Sequence, residues 1–466
     1  MSPRRETGPF GASYRLLSVG VFTLIVVIAF EFMAVATALP VAARELGGLK
    51  LYAWALTGFL GASMFANGIG GEVCDRLGPR LPLAIGGTTF GVGLLVSGLS
   101  ASMPMLIVGR VVQGLGAGVT IVAVYVVIGQ CYPDALRPKV MSLIATAWVV
   151  PSVVGPFIAG GLTEYISWRW AFLSIAPLVP IPLALVLPRI KGERRVGERR
   201  PGRVKLATAM AAGAAVLQWA GIEAERGSWW YAAVSAIVGL ALVLVGVHRL
   251  FPAGTLRLRR GLPSVIAFRG VMAGGFFGCE AYVPLMLVEH RGASPTMAGL
   301  AVAGTAVGWS VGSWWQGRSG LRTRRTELVR IGAAVAACGV VVTGSASIAT
   351  STVVFPAWLS GVGLVVGGLG MGLSMSSNSV LLFDYSPVEE QGINSAALQM
   401  SDSLGGLLVI GSAGVVYALW RQTLPATDLF GLIFAVAVAV LLLAVLVASR
   451  VRPSAVTERQ PAAAGV

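Results

Sequence analysis

Leu16 to Pro40 reads LLSVGVFTLIVVIAFEFMAVATALP. About 20 apolar residues are enough to cross a bilayer as a helix, and this run exceeds that length. One residue breaks its character: Glu31, a little past the middle. At that depth a carboxylate is costly unless it is paired, hydrated or protonated. Glu31 is therefore a functional candidate. The plainer alternative is a carboxylate that snorkels to an interface or bonds a neighbouring helix.

Outward from this run the whole chain has the same character. Of 466 residues, 56% are hydrophobic and 12% charged, against about 25% charged in soluble domains. Mean hydropathy is +0.80. The 61 glycines suit membrane helices that approach closely. The expected fold class is an all-α polytopic membrane protein. A net charge of +15 raises nucleic acid as a partner, but Arg and Lys concentrate in alternate loops, which is a topology signal. Nucleic acid is therefore not expected. Cys74, Cys131, Cys279 and Cys338 are isolated and have no metal-ligand spacing, so they read as packing residues. Arg4-Arg5 ahead of a run ending near Ala36-Thr37-Ala38 resembles a secretory leader. Its length, Glu31 and the spans that follow favour a retained first helix.

Fourteen apolar runs follow one another: 16–40, 51–73, 82–100, 104–130, 139–163, 169–188, 204–222, 229–249, 264–288, 295–316, 328–348, 353–382, 393–419 and 428–449. The expected layout is a cytoplasmic tail (1–15), a six-helix bundle (16–188) and a basic linker (189–203). Two inserted helices (204–249), a loop (250–263), a second six-helix bundle (264–450) and a tail (451–466) complete it. Loops after even-numbered runs carry the basic residues, among them Arg194, Arg195, Arg199 and Arg200, then Arg257, Arg259 and Arg260, then Arg318, Arg322, Arg324 and Arg325. By the positive-inside rule these loops and both termini are cytoplasmic, in the cytoplasmic (inner) membrane. A weak repeat supports duplication. Tyr132-Pro133-Asp134 precedes the fifth run, and Tyr385-Ser386-Pro387 with Glu389-Glu390 precedes the thirteenth. Such repeats are common in secondary transporters.

Gly71-Glu72-Val73-Cys74-Asp75-Arg76-Leu77-Gly78-Pro79-Arg80 joins the second and third runs. It closely resembles the G-x-x-x-D-R-x-G-x-R signature of the major facilitator superfamily. The glycines permit a tight turn, and Asp75 can meet a helix N-terminus. The resemblance implies a cytoplasmic clasp built from Gly71, Asp75, Arg76, Gly78 and Arg80. The matching loop, Gln316 to Arg322, lacks the Asp. Arg110-Val111-Val112-Gln113-Gly114 looks like the family's R-x-x-Q-G motif. At 1.5 Å per residue Arg110 is about 9 Å, and Glu31 about 13 Å, from the outer helix ends. Their depths allow an interaction; otherwise Arg110 bonds backbone carbonyls.

Gly155-Pro156-Phe157-Ile158-Ala159-Gly160-Gly161 is similar to the motif of the exporting members, with Pro151 as a departure. Gly155, Pro156 and Gly160 are the expected bending points. EFMAVATALP (31–40) and Trp168-Arg169-Trp170-Ala171-Phe172 resemble motifs of the fourteen-helix drug:proton antiporter branch, with Glu31 where Asp is usual.

Two more acids lie within apolar runs: Glu280 and Asp402. Each is a candidate coupling site, counter-charge for a cationic substrate, or structural hydrogen-bonding group. Asn67, Gln113, Tyr125, Trp148, Trp309, Asn378 and Gln399 are candidate cavity-lining residues, each with packing or an interhelical hydrogen bond as its plainer role. There is no Walker sequence and no placed nucleophile–base pair, so the chain does not read as an ATPase or another enzyme. The expectation is a monomeric, proton-coupled antiporter exporting small amphipathic molecules, with the proton gradient in place of a cofactor. The alternatives are a proton symporter, an exporter of a specific metabolite or natural product, and a polytopic membrane enzyme or scaffold.

Overall fold

The computed structural model describes residues 8–133, 136–190, 203–316, 325–348, 355–387 and 390–452. They form an all-helical protein. In chain order the helices are α1 (Arg15–Glu45), α2 (Tyr52–Leu77), α3 (Arg80–Gly98), α4 (Met103–Cys131) and α5 (Arg137–Tyr165), then α6 (Trp170–Arg189). Next come α7 (Arg203–Glu225) and α8 (Trp229–Leu250), and α9 (Leu262–His290). The last are α10 (Pro295–Gln316), α11 (Arg325–Ser345), α12 (Leu359–Tyr385), α13 (Gln391–Trp420) and α14 (Ala426–Ala448). Among the described residues, 10 helices are long and apolar enough to cross a membrane; α2, α5, α7 and α10 are not among them. Helix is the natural state for such sequences, because in lipid every backbone polar group must be satisfied within the segment.

The first helix runs on past Pro40 to Glu45; three others differ from the expected runs in ways that proline explains. The sixth run is not one smooth helix but short α and 3₁₀ pieces between Trp170 and Arg189, where Pro177, Pro180, Pro182 and Pro188 remove successive N–H donors. The twelfth starts at Leu359 rather than near 353, since Pro356 keeps Phe355 out of helical geometry. The ninth is regular only to Glu280, then passes through Ala281 and Tyr282 into a π-turn over Met286–His290. Pro284 has no N–H to offer the Glu280 carbonyl four residues back.

The chain divides into two compact units, Met1–Thr208 with Ala293–Ala303, and Ala209–Gly292 with Gly304–Val466. In the first, α1 packs along α5, α4 packs on α2 and α3, and α6 packs on α1 and α3. In the second, α9 packs along α13, α12 along α11, and α14 on α9 and α11. Glycines set these approaches. A Cβ at Gly114 or Gly118 of α4 would strike the Phe59 or Ser63 carbonyl of α2. A Cβ at Gly308 or Gly312 of α10 would strike the Val365 or Leu369 carbonyl of α12. The partners thus repeat from one unit to the other. Helices α7 and α8 cross at Gly213 and Gly239, where a Cβ on either would come within 2.7 Å of the other's carbonyl. Trp229, Trp230 and Tyr231 at the start of α8 are exposed, as befits residues that anchor a helix end at a membrane–water interface.

Candidate functional site

The two acidic and basic residues of the first unit meet. Glu31 on α1 and Arg110 on α4 form an ion pair with side-chain exposures of 0% and 2%. The Arg110 Nη1 donates to Glu31 Oε1 and to Gln113 Oε1. Its Nε donates to the Ala55 carbonyl of α2 at 3.1 Å, and its guanidinium lies over the Phe59 ring, 4.4 Å from the centroid. Gln113 passes the network to α3, donating from Nε2 to the Gly93 carbonyl (3.1 Å) and the Ser97 hydroxyl (2.9 Å). The α3–α4 approach makes this reach available: a Cβ at Gly93 would collide with the Gln113 backbone N.

One acceptor in this network is unused. Glu31 Oε2 is buried and has no hydrogen-bond partner among the described residues. With solvent excluded, opposite charges must cancel locally. A proton arriving on that free oxygen would remove the attraction to Arg110 while leaving Arg110 its bonds to Gln113 and Ala55. The guanidinium keeps those bonds, but its buried positive charge is then uncompensated, so protonation of Glu31 destabilises this arrangement of the pair.

The second unit has an ion pair the sequence reading missed. Arg269 of α9 donates from Nη2 to Asp402 Oδ2 of α13 at 3.1 Å. Its Nη1 reaches the Ser379 hydroxyl (3.2 Å) and the Met375 carbonyl (3.4 Å) of α12. Side-chain exposures are 13% and 22%, and Arg269 Nε and Asp402 Oδ1 lack partners among the described residues. The signal was present: Arg269 is about 10 Å along an apolar helix, where an arginine needs a partner. No motif spacing drew attention to it. Glu280 is half-buried at the break in α9, and among the described residues no basic side chain pairs with it.

The other candidates are scattered. In the first unit, Gln113 belongs to the ion-pair network, Asn67 has a buried Oδ1 with no partner among the described residues, Tyr125 is exposed and Trp148 half-buried. In the second, Trp309 stacks on Phe277 with centroids 6.3 Å apart. Asn378 donates to the Val265 carbonyl at 3.0 Å, and Gln399 is exposed. Of the expected clasp, the side chains of Gly71 and Asp75 fall outside the described residues. Gly78 turns the chain at φ +72, a conformation glycine adopts without steric cost, and Arg76 and Arg80 are exposed.

Gly155 sits against α1, where a Cβ would come within 3.3 Å of Met33 Cβ. Pro156 lies inside α5. Gly160 faces the first turn of α10, where a Cβ would be 2.7 Å from Thr296 Cα, and Glu164 accepts from the Thr296 N–H at 3.3 Å. The Trp168-Arg169 motif has a partner the sequence did not suggest. Glu45, at the end of α1, accepts from Trp168 Nε1 and Arg169 Nη1, both at 2.8 Å.

Residues 21–409 match the Major Facilitator Superfamily model. The chain belongs to that superfamily. It is a multi-pass membrane transporter acting on a small-molecule substrate, and not an enzyme. The multidrug transporter protein MdtP of Bacillus subtilis (strain 168) is 25% identical over 417 residues, which cover 86% of this chain and 75% of that protein. A probable multidrug-efflux transporter of Mycobacterium tuberculosis (strain ATCC 25618 / H37Rv) is 26% identical over 410 residues, covering 83% and 84%. A longer relative from the same organism is spanned over 56% of its length. Among solved structures, a D-xylose-proton symporter superposes with a TM-score of 0.63 at 17% identity, covering 94% of this chain and 98% of that one. That likeness is one of fold.

Proposed function

We propose that this transporter is a proton-coupled antiporter that exports small amphipathic molecules, drugs among them, across the cytoplasmic membrane by alternating access. The observation that carries the reading is the fully buried Glu31–Arg110 pair with one free carboxylate oxygen. Relatives named as multidrug transporters and the Gly155-Pro156…Gly160 stretch, similar to that of exporters, support the direction of flux. In this scheme Glu31 takes a proton from the outside and the neutral acid loosens from Arg110. Release of the proton inward restores the pair, and a change in that contact shifts the balance between conformations. Asp402 and Glu280 supply a second proton site or the charge that attracts substrate.

The proposed architecture has fourteen membrane-spanning helices in two six-helix bundles, with α7 and α8 inserted between them and both termini in the cytoplasm. The proposed working form is a monomer, driven by the proton gradient alone. Asn67, Gln113, Tyr125, Trp148, Trp309, Asn378 and Gln399 are proposed to line the substrate path. The 71–80 loop and the bend at Gly155, Pro156 and Gly160 would gate it.

The test is Glu31→Gln in proteoliposomes. An imposed pH gradient should no longer drive transport, while the purified variant keeps its elution profile and melting transition. Gradient-driven transport at the wild-type rate would remove Glu31 from the coupling role. Uptake with the proton, rather than against it, would replace antiport by symport.

A further inference from the structure

We propose that the turn joining α8 to α9 binds the phosphate headgroup of an anionic lipid through Arg257, Arg259 and Arg260, with Leu256 at the apolar boundary. The inference is independent of the export reading above.

The sequence sets the charge. From 226 to 279 there is no Asp or Glu, so nothing in this stretch offsets its arginines. Arg249 lies in the last turn of α8, and Arg257, Arg259 and Arg260 follow in the turn; all four are exposed. None of them forms an ion pair among the described residues. Both flanking helices, α8 and α9, are long and apolar enough to cross a membrane. The short segment between them, 251–261, therefore lies at headgroup level.

The turn is tightly built. Thr255 donates to the Pro252 carbonyl from its N–H (3.1 Å) and from its hydroxyl (2.7 Å). The Arg259 N–H donates to the Gly254 carbonyl and the Leu258 N–H to the Thr255 carbonyl, each at 3.1 Å. Those two bonds make a Schellman closure, whose left-handed position usually holds Gly. Here it holds Leu258 at φ +50, the one non-glycine residue with positive φ among the described residues. An L side chain adopts that region at a cost, and strain retained in this way points to function. A Cβ at Gly254 would come within 2.5 Å of Arg259 Cδ. The stem of Arg259 thus lies against the turn while its charged end stays accessible.

Two neighbours add to the positive field. Gly261 donates to the Arg450 carbonyl at 3.1 Å, which brings the end of α14, with its exposed Arg450, beside the turn. At Leu262 the helix α9 begins, presenting the positive end of its dipole.

These features select the ligand. Guanidinium forks match the oxygens of a phosphate. Leu256, in the middle of the turn and 50% exposed, favours a phosphate that carries an apolar body over a free one. Leucine beside arginine at a membrane surface places one at the acyl boundary and the other among the headgroups.

The experiment titrates full-length protein in a neutral detergent with phosphatidylglycerol, with phosphatidylcholine, and with soluble glycerol phosphate. Retained lipid is read by native mass spectrometry and the melting midpoint is followed. Wild type should retain phosphatidylglycerol preferentially and melt higher with it. Replacing Arg257, Arg259 and Arg260 together by Gln should weaken that binding about tenfold to a hundredfold. Leu256→Ser should weaken it about threefold. Gln at Arg15, Arg189 and Arg330 together, three exposed positions elsewhere, removes the same charge and should leave binding within about threefold of wild type. Three results each overturn the proposal: no preference for phosphatidylglycerol, an unaltered preference in the folded turn variant, or an equal loss in the scattered one. Glycerol phosphate acting as strongly as the lipid would reduce the site to one for free phosphate and refute the lipid.

If the turn variant does not fold, phenylglyoxal labelling of wild type decides. Phosphatidylglycerol, and not phosphatidylcholine, should protect Arg257, Arg259 and Arg260, and equal labelling refutes the site.

Discussion

The first unit buries its arginine–carboxylate pair completely, while the second leaves its pair partly open. Exposures are 2% and 0% for Arg110 and Glu31, against 13% and 22% for Arg269 and Asp402. The surroundings differ in the same sense. Arg110 is held by Gln113, Ala55 and the Phe59 ring as well as by Glu31, and Glu31 Oε2 is buried with no partner among the described residues. In the second pair both members keep an atom without a partner among the described residues, Arg269 Nε and Asp402 Oδ1. A sealed pair must stay neutral as a whole, so a proton entering it has mechanical consequences. A partly open pair can be screened and rearranged at lower cost. Under the proposed antiport scheme, the sealed pair would carry coupling and the open pair would adapt.

The sharpest way to break it is to remove one arginine from each pair. Arg110→Ala leaves Glu31 with an uncompensated buried charge or a bound proton, and the expected loss is about 3–5 kcal/mol. Arg269→Ala should lose less, about 1–3 kcal/mol, between the buried and surface limits. Thermal melting of both variants under one detergent condition gives the ranking. Combining Arg110→Ala with Glu31→Gln should recover part of the first loss, because the stranded charge is gone. Equal losses for the two arginines would erase the distinction between the pairs.

Packing offers a second comparison, in which the order reverses. In the second unit α9 and α13 meet backbone to backbone: a Cβ at Gly405 would overlap the Gly270 carbonyl. In the first unit, a Cβ at Gly155 of α5 would approach the Met33 side chain of α1 at 3.3 Å. Gly405→Ala should cost about 1–3 kcal/mol by forcing the helices apart. Gly155→Ala should stay within about 1 kcal/mol, because at 3.3 Å the two Cβ atoms need to part by only a few tenths of an ångström. Comparing their melting midpoints measures which interhelix contact is rigid.

Much of this was legible in the chain. Apolar run length gave the helices, because membrane thickness imposes that signal directly. Glu31, Arg110 and Gln113 could be singled out because a charge at membrane depth demands a reason. Arg269 follows the same rule but stands in no recognisable spacing, and its partner is 133 residues away. The break at Glu280 was hidden because Pro284 interrupts a backbone bond without interrupting the apolar pattern. Glu45 was passed over because it lies beyond the apolar run and resembles an ordinary polar loop residue.

The smallest of these effects is expected at an ion pair that is largely open to solvent. Glu45 and Arg169 are 52% and 33% exposed, although their geometry is good. The carboxylate accepts from both Arg169 and Trp168 at 2.8 Å, Arg169 Nη2 reaches the Ser100 carbonyl at 3.2 Å, and the guanidinium covers the Trp168 ring at 4.4 Å. Glu45→Gln keeps an oxygen for Trp168 and removes only the charge. Water supplies most of what is lost, so melting should shift by no more than about 0–1 kcal/mol. A loss as large as that of Arg110→Ala would mean that the junction of α1 with the start of α6 is sealed as tightly as the buried pair. Exposure would then be a poor guide to which pair the protein depends on, and the contrast between sealed and open pairs would have to be redrawn from packing alone.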